Sequence, residues 1–194
     1  MREKLSKSEK PKVWRSKKLH LTPEEANALI DGASKRGRYP KRDRLLLQLI
    51  YRHGLRVSEA CELRWSEINL RAGTIYITRK KMGNDSTHTM ERDEIQQLRK
   101  WQAEHSGDTF VFSTERGGPL SVDAVQYIVR EAAAVAGLPE NTHPHMLRHA
   151  AGYFLTNNGT DMRLVQSFLG HRTAAMTMHY SALSPKRLAA VRVR

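Results

Sequence analysis

Three separated stretches of this sequence carry residue types that suit work on a phosphate. In "THPHMLRHAAGYF", Thr142 and Pro144 read as a helix start, and His145 and Arg148 lie three apart on one face of that helix. A histidine that titrates near neutrality, beside the fixed donor fork of a guanidinium, is a reasonable pair for phosphoryl transfer. In "HGLRVSEACEL", Arg56 stands where a glycine turn enters a helix. Backbone N–H groups and the positive end of the helix dipole gather there, so an arginine in that place suits an anion. Glu59, three residues on, can equally pair with Arg56 on the surface. In "LGHRTAAMTMHYS", His171 follows the glycine that closes a helix, and Tyr180 comes nine residues later. A phenol with a pKa of about 10 is inert as a nucleophile unless something stabilises its phenolate. Alone, Tyr180 reads as a packing residue.

A metal site is the competing chemistry. His145 and His149 have the i, i+4 spacing of a ligand pair, and His143 adds a third nitrogen. The stretch lacks the glutamate of HExxH, and Cys61 is the single cysteine, so neither a thiolate zinc site nor an intramolecular disulfide is expected. No metal or cofactor is implied.

The formal net charge of +13 over 194 residues favours a polyanionic partner, most commonly nucleic acid. Residues 1–20 form a basic arm in which Lys17, Lys18 and six other cations outnumber Glu3 and Glu9. Such an arm can lie along phosphates or be a solvated tail. The first residues lack the apolar core of a secretion signal, and no run of 18 apolar residues occurs. The expectation is no membrane partner and a cytoplasmic setting in a bacterial cell, with the nucleoid.

The elements that must position these residues are mostly helices. "LTPEEANALIDGASK" starts on Thr22 as N-cap, with Pro23 at the first helical position and Glu24 and Glu25 in the first turn. "RDRLLLQLIYRHG" is a richly apolar helix closed by Gly54, and a short third helix follows Arg56. "GTIYITRK" and "STHTM" alternate as strands around "KMGND", which predicts a hairpin with a basic tip. Helices follow in "RDEIQQLRKWQAEH", in "SVDAVQYIVREAAAVAG" and in the three segments that carry His145, the run before Gly170, and Tyr180. The expected fold is α+β, mainly helical, with one small antiparallel sheet.

Taken in order, "GLRVSE", a lysine-tipped hairpin, "HMLRH" and "LGHRTAAMTMHY" resemble the tyrosine recombinases, or phage integrase family, over about residues 20 to 185. The fold expected from that resemblance is the DNA breaking-rejoining catalytic domain. Several separated motifs matching in order is a specific signal. The short length, "IYITRKKMGNDSTHTM" and "HPHMLRH" look closest to the small invertases that flip fimbrial promoter switches. The resemblance implies that Tyr180 is the nucleophile and forms a 3′-phosphotyrosyl link to DNA, without ATP or metal. It implies that Arg56 and Arg148 clamp the phosphate, that His145 is the acid/base group, that His171 binds and orients the phosphate, and that Glu59 supports the site. Lys80 and Lys81 are adjacent, and strand alternation sends them to opposite faces. Lys81, two before Gly83, fits the family's lysine-x-glycine tip and is taken as the lysine that protonates the leaving oxygen. Arg79, Lys80, His149, Arg172, Lys17 and Lys18 are expected to contact DNA.

The domain expectation is a basic arm over 1–20, a catalytic domain over 21–185 and a short tail over 186–194, with no separate core-binding domain. Double-stranded DNA is the expected partner, a homotetramer on two sites the expected assembly, and DNA-bending host factors a possible aid. Two other functions fit parts of the pattern. One is type IB topoisomerase-like relaxation, and the other is a non-catalytic DNA-binding regulator.

Overall fold

A computed structural model of the chain describes residues 20–80, 83–178 and 180. The expected arm over 1–20 therefore lies outside the described residues except for His20. Lys17, Lys18, Lys81 and the expected 186–194 tail are also outside them.

Helix α1 (Pro23–Ala33) begins as its sequence predicts. The Thr22 hydroxyl accepts from the Glu25 amide at 3.2 Å, and the Glu25 carboxylate accepts from the Thr22 amide at 2.9 Å. Two orphan donors at the helix start are thus satisfied reciprocally. Helix α2 (Pro40–Arg52) buries Leu45, Leu46, Leu47, Leu49 and Ile50 on all sides. A stretch buried on every side belongs in the middle of a core, and α2 packs against α1, α6, α3 (Val57–Glu62) and α4 (Arg92–Glu104). Each such leucine, fully buried, stabilises the fold by roughly 1.5–3 kcal/mol. Helix α5 (Val122–Val135) is capped by the Ser121 side chain and lies along α1.

The hairpin is present. Strand β2 (Thr74–Ile77) pairs antiparallel with β3 (Ser86–Thr89), with Ile75 opposite His88 and Ile77 opposite Ser86. A two-residue strand β1 (Ile68–Asn69) adds to β2 and makes a three-stranded sheet. β1 was not expected, because two residues carry no alternation to read. "FVFS" pairs only through isolated bridges, Arg64 to Phe110 and Ser113 to Pro119, although Val111 and Phe112 are buried.

Three helices close the described chain: α6 (Pro144–Asn157), α7 (Met162–Leu169) and α8 (Ala174–Met178). One detail departs from the sequence reading. Thr142 does not cap α6; its hydroxyl turns back to the Pro139 carbonyl at 2.6 Å, and His143 precedes the first-turn Pro144. Tyr180 follows α8 by two residues, and His179 between them lies outside the described residues. No described helix is long and apolar enough to cross a membrane.

Candidate active site

The site begins at the turn between α2 and α3. The backbone reverses at Gly54, whose φ is +57°, and Arg56 is the residue before α3. Arg56 gives its amide to Glu59 Oε2 at 2.9 Å and its guanidinium Nη1 to Glu59 Oε1 at 2.6 Å. This is not the surface ion pair that the spacing also allowed, because the Glu59 side chain is 1% exposed. Glu59 also accepts from Arg79 Nη1 at 2.8 Å and from the Lys80 amide at 3.3 Å, and lies 3.9 Å from Arg148 Nη1. Burial pushes its pKa up, but the Arg56 amide and the guanidiniums of Arg79 and Arg56 outweigh that and hold the carboxyl below its usual range.

Arg148 rises from α6 into the same cluster and is 4% exposed. Its Nη2 donates to the Leu169 carbonyl at 2.6 Å, and its Nη1 donates to the Gly54 carbonyl. Both carbonyls sit at helix ends, where unpaired acceptors need donors. Burial first, then the neighbouring Arg56 and Arg79, bring the Arg148 pKa down to about 9. Three guanidiniums share one carboxylate here. An anion arriving between them relieves that excess of charge, the electrostatic condition for stabilising a phosphate and its transition state.

Arg79 belongs to this cluster and not, as expected, to the DNA-facing surface. Its side chain is fully buried. Nη1 reaches Glu59 and, at 3.4 Å, the Gly54 carbonyl; Nη2 donates to the Phe168 carbonyl at the end of α7. The stem crosses Gly170, where a Cβ would fall 2.7 Å from Arg79 Cγ and Nε; Gly170 also holds a left-handed φ of +62°. Only glycine meets both demands. The signal was present in the sequence: in a strand of period two, Arg79 shares its face with the buried Ile75 and Ile77. By the same alternation Lys80 points the other way, and its amine pairs with Glu62. The hairpin is therefore anchored to α7 through Arg79 and to α3 through Arg79 and Lys80. Behind this anchor His88 on β3 stacks on Phe168 at 4.1 Å, and its Nδ1 lies 3.4 Å from His53 Nδ1.

On the other side of Arg148 stands the tyrosine. Tyr180 is 2% exposed and sits with Val165 and Leu169 in a small apolar cluster. Tyr153 meets its ring edge-on at 5.1 Å. Gly152 makes the room: a Cβ there would lie 2.6–2.9 Å from three carbons of the Tyr180 ring. His171 lies parallel to the phenol ring at 6.1 Å and shares a 3.0 Å hydrogen bond with Thr177 through Nδ1. The Tyr180 hydroxyl is 2.9 Å from His149 Nδ1.

Burial first, with Arg148 opposing it, pushes the Tyr180 pKa up to about 12. Burial also holds His149 and His171 down to about 4; nearby histidines and Arg148 add to the effect at His149, and the arginines add to it at His171. Both imidazoles are thus neutral at physiological pH.

The structure brings Arg56, Glu59, Arg148, His171 and Tyr180 into one site. His145 is exposed on α6, its ring edge-on to His143 at 6.4 Å. His149, expected at DNA, instead holds the tyrosine. One turn of helix separates the two, and only the position of Tyr180 distinguishes them. Arg172 is exposed just beyond Gly170.

Comparison with known proteins bears on this geometry. The sequence matches the family described as "Phage integrase family" over residues 20–187. It is 38% identical over 183 residues to the type 1 fimbriae regulatory protein FimB of Escherichia coli strain K12, covering 92% of this chain and 91% of that one. It is also 38% identical over 152 residues to the tyrosine recombinase XerC of Xanthomonas campestris pv. campestris, covering 77% of this chain and 47% of the relative. Among solved structures, the XerH site-specific recombinase bound to its difH substrate superposes with a TM-score of 0.76 at 26% identity, covering 88% of this chain and 52% of that one.

Proposed function

This chain belongs to the phage integrase family, and from that premise we infer that it is a site-specific DNA recombinase that cleaves and rejoins DNA through Tyr180. The observation that carries the reading is the convergence of Tyr180, His171, Arg148 and Arg56 from four separate segments on one partly buried, positively charged site. Arg56 lies 92 or more residues from the other three, so local sequence alone does not bring it to them.

In the proposed reaction the Tyr180 hydroxyl attacks the scissile phosphate, a 3′-phosphotyrosyl link forms and the 5′-hydroxyl leaves. Attack by a second 5′-hydroxyl reverses the step. The link keeps the phosphodiester's energy, so the exchange needs no ATP. Arg56 and Arg148 neutralise the charge that builds on the non-bridging oxygens, the work a divalent cation performs in other phosphoryl-transfer enzymes. Glu59 holds those guanidiniums in place. His171 orients the phosphate. Lys81 on the hairpin delivers the proton to the leaving oxygen; it adjoins Lys80, whose amine is engaged by Glu62.

Double-stranded DNA is the proposed substrate, and the +13 charge supports it. A tetramer across two sites is the proposed assembly, aided by DNA-bending host factors. Inversion of a DNA segment is the proposed outcome, because likeness to FimB extends over nearly the whole of both chains, whereas XerC is matched over less than half its length.

The test is to express the protein and its Tyr180→Phe variant in bacteria, stop the cells with denaturant and recover DNA attached to protein. Adducts in the parent and none in the variant are expected, and sequencing them identifies the target. A circle carrying two copies of that target then separates recombination from relaxation. Inverted or excised product is expected; loss of supercoils without exchange would assign topoisomerase activity instead.

A further inference from the structure

Every proposed role so far concerns the phosphate or the leaving group. Attack also requires the Tyr180 ring to stand in one place, because a misplacement of about 1 Å can cost a reaction about 10²-fold. Charge does not grip this ring. Gly152 lets it lie close against α6, and other rings close its sides. His171 lies parallel to it at 6.1 Å, and Tyr153 stands at right angles to it at 5.1 Å. Tyr153 is only half-buried, so its own placement needs support. His20 stacks on it, with ring centroids 3.7 Å apart and planes 24° apart.

The stack joins two distant segments, since His20 precedes α1 and Tyr153 lies in α6. His20 is itself fixed from the chain that follows it. Leu21 is 1% exposed, and the reciprocal bonds between Thr22 and Glu25 lock the start of α1. Two aromatic rings at right angles attract because the positive edge of one meets the negative face of the other, at centroid separations of about 4.5–7 Å. An aliphatic side chain of similar bulk fills the same space without fixing an angle. Tyr153 therefore supplies direction as well as occupancy.

We propose that Tyr153 and His20 are positioning residues for the nucleophile. The start of α1 holds His20, His20 holds Tyr153, and Tyr153 holds the Tyr180 ring at the angle from which its hydroxyl attacks. This rests on the recombinase reading above. It gives the two rings no contact with the phosphate and no part in proton transfer. Their loss should act on the rate of the bound complex and not on the binding of DNA.

The experiment uses a nicked duplex built from the DNA recovered with the wild-type adduct. It follows covalent-adduct formation by denaturing gel over a range of duplex concentrations, beside thermal melts of each variant. Tyr153→Leu fills the space but has no ring. Its rate at saturating duplex is expected to fall roughly 10–10²-fold, with the half-saturating concentration and the melting temperature near wild type. Tyr153→Phe keeps the ring and is expected to recover most of that rate. His20→Ala should reproduce part of the loss, and His20→Phe should restore it. Adding His20→Ala to Tyr153→Leu should cost nothing further, because His20 acts through Tyr153.

A wild-type saturating rate in Tyr153→Leu would overturn the proposal. An equal loss in Tyr153→Phe would overturn it too, and assign the effect to the Tyr153 hydroxyl. A loss that follows a lower melting temperature and weaker duplex binding would make Tyr153 a packing residue only. Additive losses in the double variant would break the link to α1. If the wild type forms no adduct on any recovered or genomic DNA, the recombinase reading has failed and this proposal falls with it. Adducts in the wild type and none in Tyr180→Phe keep that reading standing, so any failure then belongs to Tyr153 and His20.

Discussion

The arginine cluster and the tyrosine beside it meet across one site, but they are held by different forces. The arginines are over-determined. Glu59 accepts from two side chains and two amides, Arg148 and Arg79 converge on the Gly54 carbonyl, and each guanidinium also closes a carbonyl at the end of α7. Moving one member breaks several charge-assisted bonds at once. Tyr180, by contrast, is set by shape: a small apolar cluster, a stacked histidine, the gap left by Gly152, and one hydrogen bond. A site built this way has a rigid cluster of guanidiniums and a tyrosine that can shift without unfolding its support.

The contrast predicts a graded response to substitution. Glu59→Gln is expected to be the most damaging to stability, because it leaves three guanidiniums, two of them buried, without their shared counter-charge. A loss of about 3–5 kcal/mol is expected, read as a lower urea midpoint with unchanged slope. An unaltered midpoint would show that the cluster tolerates its own charge and that the contrast is wrong.

Gly152→Ala comes next. The added methyl meets the Tyr180 ring at less than 3 Å, and overpacking of this kind costs about 1–3 kcal/mol. Part of that is offset by the better helix propensity of alanine. The tyrosine, being held by shape, should move and the arginines should not. Adduct formation should fall sharply while affinity for phosphate-rich DNA in a filter-binding assay stays near wild type.

Acidification should erode the tyrosine side and the hairpin anchor. His149 and His171 are held to about 4 and His88 to about 3, against about 6.5 in an unfolded chain. Between these limits the unfolded state binds more protons, so stability rises with pH there and falls as pH drops from about 6.5 to about 4. Thermal melts at steps through this window should show a declining midpoint. The decline should be shallower in His88→Phe, which removes one of the three groups.

Tyr180→Phe should perturb stability least, by about 1 kcal/mol for one hydrogen bond, while abolishing adducts altogether. A large drop in its melting temperature would mean that the hydroxyl is a structural tie and that the two regions are held alike.

Much of this protein was legible in its sequence. The capping residues of α1, the apolar run of α2 and the alternation of the hairpin are local signals, because helix starts and strand faces depend on neighbours within a few residues. Four residues placed in the site, Arg56, Arg148, His171 and Tyr180, were legible through the order of their motifs. β1 was not legible, since it exists only because β2 offers it an edge. Nor was the seating of the tyrosine ring against Gly152 of α6, which depends on two segments meeting.

What tertiary structure alone decided was the division of labour among similar residues. The order of motifs gave acid/base work to His145 and DNA contact to His149, and it grouped Arg79 with Lys80 at the DNA. Folding placed the phenol against His149 and turned one face of β2, with Arg79, inward onto α3 and α7. Those choices rest on contacts between residues 20 to 94 positions apart. Their energies depend on burial, which raises the cost of an unpaired charge and so selects, among chemically identical side chains, the ones that find partners.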